Sequence, residues 1–435
     1  MTEKLRYDEL ELPVYVNSRD VFAGLTVSDL AKAAVLAPLN LLLVGDTGTG
    51  KSKLVEDVYR HYFGGNKMDG GEGVFMRAHP DIDIYNEIFT SLNKDRAQRE
   101  TTTNLEALVY DVDEINRAPP VAQNQFFGLG DGKMDFKGRE IVLGKEGYII
   151  LLATANIGNG EFQGTFETDK ALLNRLHVAL DLEYGPFQPT TEDKLIIRKR
   201  KASPNGPRAS LRNISGSIID ASREIGEKTV SLDLETRAAL DYIEFGLQNC
   251  QRHSVKDRVW PMACQDCSFN ARGDAVCSSV KAPTTRTMEV VRKYAAALEY
   301  LAKLKNPELK VEPHEFVFKA FELTGAYQHL LNPANLRKYY NHNSKVMAEA
   351  AAKLKADYNS QRDYILTSMS EAEQGRSVTK FFSRSGEIGN YDGLSEEART
   401  RFTAIEPFTN QREVGLGHVK EIVELTIAGR KAEEK

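Results

Sequence analysis

The chain lacks long apolar runs, is poor in cysteine and carries no excess of positive charge. None of its uninterrupted apolar stretches approaches the roughly 18 residues that a membrane-spanning helix needs. The first ten residues, MTEKLRYDEL, have no apolar core of the signal-peptide type. Four cysteines in 435 residues argue against a disulfide scaffold. We therefore expect a soluble, cytoplasmic protein with reduced thiols and no membrane insertion.

The overall charge gives no support for a partner that is strongly acidic. Lysine and arginine number 57 against 62 aspartates and glutamates, which gives a formal net charge of −5. This balance offers no bulk electrostatic reason for binding nucleic acid or acidic membranes, although a local basic patch can still exist. The hydrophobic fraction of 41% is sufficient for the cores of two or three domains.

The most informative stretch is residues 40–52, NLLLVGDTGTGKS. Its four apolar residues are typical of a strand that is buried on both faces, and residues 54–62 repeat apolar side chains at helical spacing. Between them lies a glycine-rich loop whose backbone N–H groups can surround a phosphate, while Lys51 supplies a charge and Ser52 a hydroxyl for Mg²⁺. The predicted phosphate loop consists of Gly45, Asp46, Thr47, Gly48, Thr49, Gly50, Lys51 and Ser52.

Polar residues follow two further predicted strands. Residues 105–112 predict a strand that ends in Asp113 and Glu114, and residues 148–153 predict another that leads to Asn156. Ligands bind outside the carboxyl ends of parallel strands, so Asp113 can reach the Mg²⁺ shell, Glu114 can orient or deprotonate a water, and Asn156 can hold it. A helix-capping role is the alternative for the acidic pair.

Strands alternate with helices up to residue 201, which predicts a three-layer α/β fold with a parallel sheet. Beyond the Pro/Gly-rich residues 202–209 the pattern is mostly helical and contains no internal repeat. The predicted strands are 41–44, 73–78, 105–112, 148–153 and 178–182, with a hairpin at 133–143. The predicted helices are 27–37, 54–62, 81–92, 119–127, 169–176, 190–201, 211–225, 232–250, 284–304, 313–331, 344–358 and 417–435. The expected domains are an N-terminal arm at 1–20, a nucleotide-binding domain at 21–201, a helical lid at 210–331 and a helical extension at 332–435.

These segments resemble a known family. Residues 108–118 (LVYDVDEINRA), followed by two prolines, resemble the Walker B segment of the MoxR-type AAA+ ATPases, and GDTGTGKS resembles their Walker A. Residues 153–156 are similar to sensor 1. Residues 157–176, with GNGEFQGT and ALLNRL, are most similar to the branch that includes the nitric oxide reductase and Rubisco activators. The resemblance covers about residues 20–305.

The resemblance implies roles at the nucleotide. Lys51 is expected to contact the β and γ phosphates of ATP, Ser52 and Asp113 to hold Mg²⁺, Glu114 to activate water and Asn156 to act as sensor 1. Arg175 stands where the family has an arginine finger that acts on the neighbouring subunit's nucleotide, although the family usually reads Asp-Arg-Phe where this chain has Asn-Arg-Leu. Arg286 matches the sensor 2 arginine. Without the resemblance, each arginine is ordinarily a solvated residue or a helix-dipole partner.

Family members form rings, usually of six subunits, and remodel partner proteins that often carry a von Willebrand A domain. The hairpin at 133–143 and the polar residues 93–104 lie where such proteins carry inserts that face the pore or the substrate. We therefore expect an ATP-hydrolysing hexameric ring that remodels or activates a protein. The alternatives are a nucleic-acid motor, which the basic residues 198–201 weakly favour, and a nucleotide-gated assembly module with little turnover.

All four cysteines lie within 28 residues of the predicted lid. Their spacing contains one CxxC pair, so four thiolates, with His253 as a spare ligand, can form a tetrahedral Zn²⁺ site that stabilises a polar loop. Free thiols or redox-active thiols are the alternatives. The residues concerned are Cys250, Cys264, Cys267 and Cys277.

Overall fold

The computed structural model describes residues 5–65, 71–89, 103–136, 138–156, 165–202, 211–248, 276–360, 362–373, 381–383 and 386–389. The chain divides into two compact units. The first comprises Met1–Val230, Lys293–Val311 and Tyr327–His329, and the second comprises Ser231–Arg292, Glu312–Ala326 and Leu330–Lys435. The domain boundaries expected from the sequence stay predictions.

A five-stranded parallel sheet forms the centre of the first unit, which confirms the predicted α/β fold with a parallel sheet. All four residues of its first strand are buried, because that strand pairs with a neighbour on each side and carries only apolar side chains. The strands are β1 (Leu41–Val44), β2 (Gly73–Arg77), β3 (Val109–Asp113), β6 (Ile150–Ala155) and β7 (Val178–Asp181), in the order β2-β3-β6-β1-β7.

A two-stranded antiparallel hairpin, β4 (Lys133–Phe136) with β5 (Arg139–Val142), precedes β6, as the sequence predicts. Helices flank the sheet, and capping residues explain two of their ends: Thr26 caps the helix Val27–Leu36, and the left-handed Gly64 ends the helix Lys51–Phe63. The helices of this part of the chain are α1 (Val27–Leu36), α2 (Lys51–Phe63), α3 (Ile84–Phe89), α4 (Pro120–Asp131), α5 (Lys170–Leu173), α6 (Thr191–Ala202) and α7 (Ser215–Val230).

Several element boundaries differ from the prediction. The third strand begins at Val109 rather than at residue 105, because the carbonyl of Leu105 accepts a hydrogen bond from Gly144 N, outside the sheet. The helix predicted from residue 211 begins at Ser215, since Arg212 N and Ile214 N donate to carbonyls at the end of α2. In each case a backbone group that the pattern assigns to an element has a partner elsewhere.

The N-terminal segment is packed within the first unit. Leu5 and Leu10 are buried, and the backbone N–H groups of Val14 and Tyr15 both donate to the Asp57 carboxylate at 2.8 Å. These contacts place the segment beside α2, which carries Asp57 and follows the phosphate loop.

Helices dominate the second unit. In it the helix Pro313–Gly325 packs against the helices Leu234–Gln248 and Asn343–Asn359, and the rings of Tyr242 and Tyr358 meet edge to face with 5.3 Å between their centroids. The helix predicted at 313–331 ends at Gly325, which lies so close to Met347 that a Cβ there would be 2.4 Å from its methyl carbon. The remaining elements are α8 (Leu234–Gln248), α9 (Val276–Ser279), α10 (Thr285–Lys305, which continues into the first unit), α11 (Pro313–Gly325), α12 (Pro333–Lys338), α13 (Asn343–Asn359), α14 (Arg362–Glu373), β8 (Phe381–Ser383) and β9 (Gly386–Gly389).

Some predictions fall outside the described residues. They include most of the polar insert at 93–104, most of the linker at 202–209, the helix at 417–435 and the cysteine cluster, since Cys250, Cys264 and Cys267 and the side chain of Cys277 are not described. The described residues contain no group of three or more His, Cys, Asp or Glu side chains placed to hold a metal ion. Within the same ranges, none of the helices combines the length and the apolar character that crossing a bilayer requires.

Candidate functional site

The loop between β1 and α2 has the backbone conformation that a phosphate loop requires. Gly45, Gly48 and Gly50 have φ values of 146°, 86° and 99°, which side chains with a Cβ rarely adopt. Gly50 precedes the first residue of α2 and offers no side-chain cap to the helix. The N–H groups at the start of α2 can therefore serve an anion.

Lys51 is folded into this loop. Its Nζ donates to the carbonyl oxygens of Gly45 at 2.6 Å and Asp46 at 2.9 Å, and the residue is only 7% exposed. Burial lowers the pKa of the Lys51 ammonium, although the carboxylates of Asp46 and Asp113 oppose the shift. An anionic ligand at the loop would further favour the charged ammonium.

Ser52 and Asp113 meet across α2 and β3. The Ser52 hydroxyl donates to Asp113 Oδ1 at 3.1 Å, and the Thr154 hydroxyl at the end of β6 donates to the same oxygen at 2.7 Å. Hydroxyl and carboxylate oxygens are the ligands that Mg²⁺ prefers, and Mg²⁺ keeps several waters of its own in nucleotide sites. The two residues expected to hold the metal therefore fit it in chemistry and in position.

Glu114 follows directly at the carboxyl end of β3. It has a left-handed backbone with φ 57°, and its N–H donates to the Thr154 hydroxyl at 2.9 Å. Its carboxylate accepts from Asn156 Nδ2 at 3.4 Å and lies 3.0 Å from Arg117 Nε. Arg77, at the end of β2, is 3.7 Å away through its Nε. A carboxylate and an amide thus lie together close to Lys51 of the phosphate loop.

Asn116 fixes the position of Asn156. Asn116 Nδ2 donates to the carbonyl oxygen of Asn156 at 3.0 Å, and Asn156 N donates back to Asn116 Oδ1 at 3.4 Å. Both side chains are less than a tenth exposed. This reciprocal pair ties the residue that follows β6 to the turn that follows β3.

Five sequence-predicted residues therefore come together at one rim of the sheet: Lys51, Ser52, Asp113, Glu114 and Asn156. We refer to these five residues, with Thr154, as the catalytic rim. Sequence reasoning missed Thr154, Asn116, Arg77 and Arg117. Position offers a signal for two of them, because Thr154 lies two residues before Asn156 at the end of the same strand and Arg117 lies three residues after Glu114.

Arg175 and Arg286, the two arginines with predicted roles at the nucleotide, belong to different units. Arg175 belongs to the first unit, and its side-chain hydrogen bonds go to Asp131 and to the carbonyl oxygen of Ala171. Arg286 lies near the start of α10, in the second unit, and is exposed. The roles of arginine finger and sensor 2 stay predictions.

Comparison with known proteins supports the fold. Residues 40–176 match the family model of the AAA domain (dynein-related subfamily). The chain is also similar to a crystal structure described as a "putative ATPase" from Cytophaga hutchinsonii, with a TM-score of 0.56 and 16% sequence identity over 79% of this chain and 91% of that chain. No curated protein matches the chain. Residues 40–176 therefore form an AAA domain, and the likeness to the solved structure supports the predicted α/β P-loop AAA+ fold.

Proposed function

We propose that the protein hydrolyses ATP at the catalytic rim, and that it does so as a ring that remodels or activates a partner protein. The observation that carries the proposal is the hydrogen-bonded chain from Ser52 through Asp113 and Thr154 to Glu114 and Asn156, beside the phosphate loop. Such an arrangement suits phosphoryl transfer, where catalysis is mainly positioning and charge stabilisation.

Each residue of the rim has one task in this proposal. Lys51 and the N–H groups at the start of α2 bind the phosphates, and Ser52 and Asp113 would hold Mg²⁺. When bound, that ion neutralises the phosphate charge that develops during transfer. The Glu114 carboxylate accepts a proton from the attacking water, which the Asn156 amide orients.

Ring assembly and partner remodelling rest on the resemblance to the MoxR-type ATPases. Because Arg175 is expected to act on a neighbouring copy, hydrolysis should depend on assembly. We expect the ATPase rate per subunit to rise with protein concentration until the ring is complete. A partner that bears a von Willebrand A domain is the substrate class that the resemblance favours.

Replacing Glu114 tests the catalytic assignment. Glu114→Gln keeps the size of the side chain but removes the proton acceptor, so we expect ATP binding to persist while kcat falls by roughly 100-fold or more. Binding is measured with a fluorescent ATP analogue and turnover by phosphate release. Glu227→Gln, an exposed change on α7, is the matched control. Wild-type turnover of Glu114→Gln would contradict the assignment.

The same variant identifies the partner. A ring that binds ATP without hydrolysing it should retain its substrate, so proteins recovered with Glu114→Gln in the presence of ATP, and absent with ADP, are the expected partners. A nucleic-acid motor would instead show ATPase activity that DNA stimulates and that salt suppresses steeply. Indifference of the rate to DNA supports protein remodelling.

A further inference from the structure

Arg175 lies in a dedicated site between α4 and α5, which we call the arginine cradle: Phe127, Gly130, Asp131 and Ala171. Arg175 Nε donates to Asp131 Oδ2 at 2.8 Å, and Nη2 lies 2.8 Å from the same oxygen. Nη1 donates to the Ala171 carbonyl oxygen at 2.9 Å. The guanidinium carbon lies 4.6 Å from the centroid of the Phe127 ring, a cation–π distance.

Gly130 makes room for the aliphatic part of Arg175. A Cβ at Gly130 would lie 2.9 Å from Arg175 Cβ and 3.3 Å from its Cδ. Neither atom is the flexible end of the side chain, so a larger residue at position 130 would displace the stem. The absence of a side chain at Gly130 is thus part of what fixes the path of Arg175.

The backbone of the cradle is fixed as well. The buried side chain of Asn40 donates from Nδ2 to the carbonyl oxygens of both Gly130 and Arg175 at 2.8 Å, and its Oδ1 accepts from Leu151 N at 2.9 Å. Asn40 immediately precedes β1, the strand that leads into the phosphate loop. Arg175 is therefore held through its main chain, its stem and its guanidinium group.

The cradle leaves part of the guanidinium free. It holds the Nε side of the group through Asp131, whereas a guanidinium carries five N–H groups in one rigid plane. Within the described residues, the cradle uses one N–H of Nη1 and one of Nη2, which leaves a second N–H on each nitrogen, and the Arg175 side chain is 20% exposed.

We propose that Asp131 is a positioning residue that sets the guanidinium of Arg175 in the orientation in which it acts on the nucleotide of a neighbouring copy. This inference rests on the proposed function, because it requires hydrolysis in an assembly. A preset guanidinium loses little freedom when it meets a phosphate, so the cradle raises the rate without contributing to ATP binding in its own subunit.

The first test removes the charge of the cradle. In Asp131→Asn we expect the dissociation constant for ATP, the oligomeric state and the thermal midpoint to stay close to wild type, while kcat falls by roughly 10- to 100-fold. Glu146→Gln, which removes the carboxylate of the 2.6 Å ion pair with Arg223 in the same unit, is the matched control and should leave kcat unchanged. Gly130→Ala should lower kcat in the same way, although alanine favours the helix.

Mixed rings separate positioning from folding. Asp131→Asn subunits keep Glu114, and Glu114→Gln subunits keep the intact cradle. Mixing these two slow variants should therefore give a higher rate than either variant alone, at sites where an Asp131→Asn subunit holds the nucleotide and a Glu114→Gln subunit supplies Arg175. A mixture that stays as inactive as its components would overturn the proposal. So would wild-type or faster hydrolysis by Asp131→Asn alone, since a faster rate would mean that Asp131 restrains Arg175.

Arg175→Ala distinguishes this failure from a failure of the proposed function. If Arg175→Ala lacks hydrolysis while Asp131→Asn retains it, the arginine acts without help from Asp131, and only the positioning inference fails. If Arg175→Ala hydrolyses ATP normally, the trans-acting arginine of the proposed function fails, and the inference fails with it.

Discussion

The catalytic rim and the polar cluster around Glu235 in the second unit are both networks of charged side chains, but their carboxylates have different hydrogen-bond donors. At the rim, the hydrogen bonds to Asp113 come from the neutral hydroxyls of Ser52 and Thr154, and the nearest arginine nitrogen that pairs with it, Arg77 Nε, is 3.9 Å away. The charge of the Asp113 carboxylate is therefore only partly compensated by the protein, whereas its neighbour Glu114 has Arg117 Nε at 3.0 Å.

In the second unit, Glu235 has cationic and aromatic neighbours instead. Arg362 Nε donates to Glu235 Oε1 at 2.8 Å, and His314 Nδ1 is in hydrogen-bond contact with the same oxygen. His314 is buried, and its ring centroid lies 5.3 Å from that of Tyr358. A carboxylate that already has an arginine partner ties helices together, whereas one held by neutral donors can still take a cation.

Among the changes that test this contrast, the largest effect should follow from removing a neutral donor at the rim. Thr154→Val keeps the shape of the side chain but removes the hydroxyl that bridges Asp113 and Glu114 N. We expect kcat to fall by roughly 30- to 100-fold, which corresponds to about 2–3 kcal/mol for an unpaired N–H and a displaced carboxylate. Steady-state kinetics and ATP binding measure the effect.

Thr154→Ser is the control, because it restores the hydroxyl. Near wild-type turnover in Thr154→Ser together with loss in Thr154→Val would show that the hydroxyl is the active feature. Equal losses in both variants would mean that the methyl group matters through packing, and the contrast between the two networks would then lose its basis.

The sequence predicts much of this site because strands and loops carry local signals. Three local patterns are visible in the sequence: the apolar run of β1, the glycines of the phosphate loop and the acidic pair at the end of β3. Because parallel strands end at one rim of the sheet, these patterns predict that Lys51, Ser52, Asp113 and Glu114 lie together. Asn156 is found for the same reason.

Contacts between distant segments are not visible in such patterns. The arginine cradle joins the last turn of α4 to α5, and Asn40, the residue before β1, is hydrogen-bonded to it as well. Because these segments are far apart in the sequence, no local spacing marks Asp131 as the partner of Arg175. The buried network of Asp57 with the N-terminal segment is hidden likewise, because those residues are 42 and 43 positions apart. Element ends such as Ser215 depend on the same kind of tertiary partner.

An effect of intermediate size is expected for Glu235, where a substitution should lower the free energy of unfolding. Glu235→Gln leaves the Arg362 and His314 side chains without their shared carboxylate, so we expect the free energy of unfolding to drop by about 2 kcal/mol at pH 7. Although burial opposes it, hydrogen bonds from Arg362 and His314 lower the pKa of Glu235 below its usual value. The stability that this carboxylate contributes is therefore present at neutral pH and lost as the pH falls through its folded pKa.

Denaturant unfolding of Glu235→Gln and wild type at pH 7 and pH 4 measures the difference, which should shrink at the lower pH. Lys355→Gln is the matched control, because it breaks the more exposed 2.8 Å pair with Glu315 and should cost at most about 1 kcal/mol. A difference that is as large at pH 4 as at pH 7 would show that packing, and not the charge, carries the effect.

The smallest effect concerns Asp241 on α8, an acidic group that costs stability. Burial raises the pKa of Asp241 to about 7, with the Arg237 cation opposing the shift and Glu244 adding to it. Because the folded pKa is above the unfolded value of about 4, the penalty is absent below that value, grows between the two pKa values and is complete above pH 7. Asp241→Asn should therefore raise the free energy of unfolding by about 1 kcal/mol at pH 8 and by much less at pH 4. The exposed Asp363→Asn on α14 serves as the control, and an Asp241→Asn gain that does not vary with pH would refute the assignment of a carboxyl whose pKa is raised in the folded state.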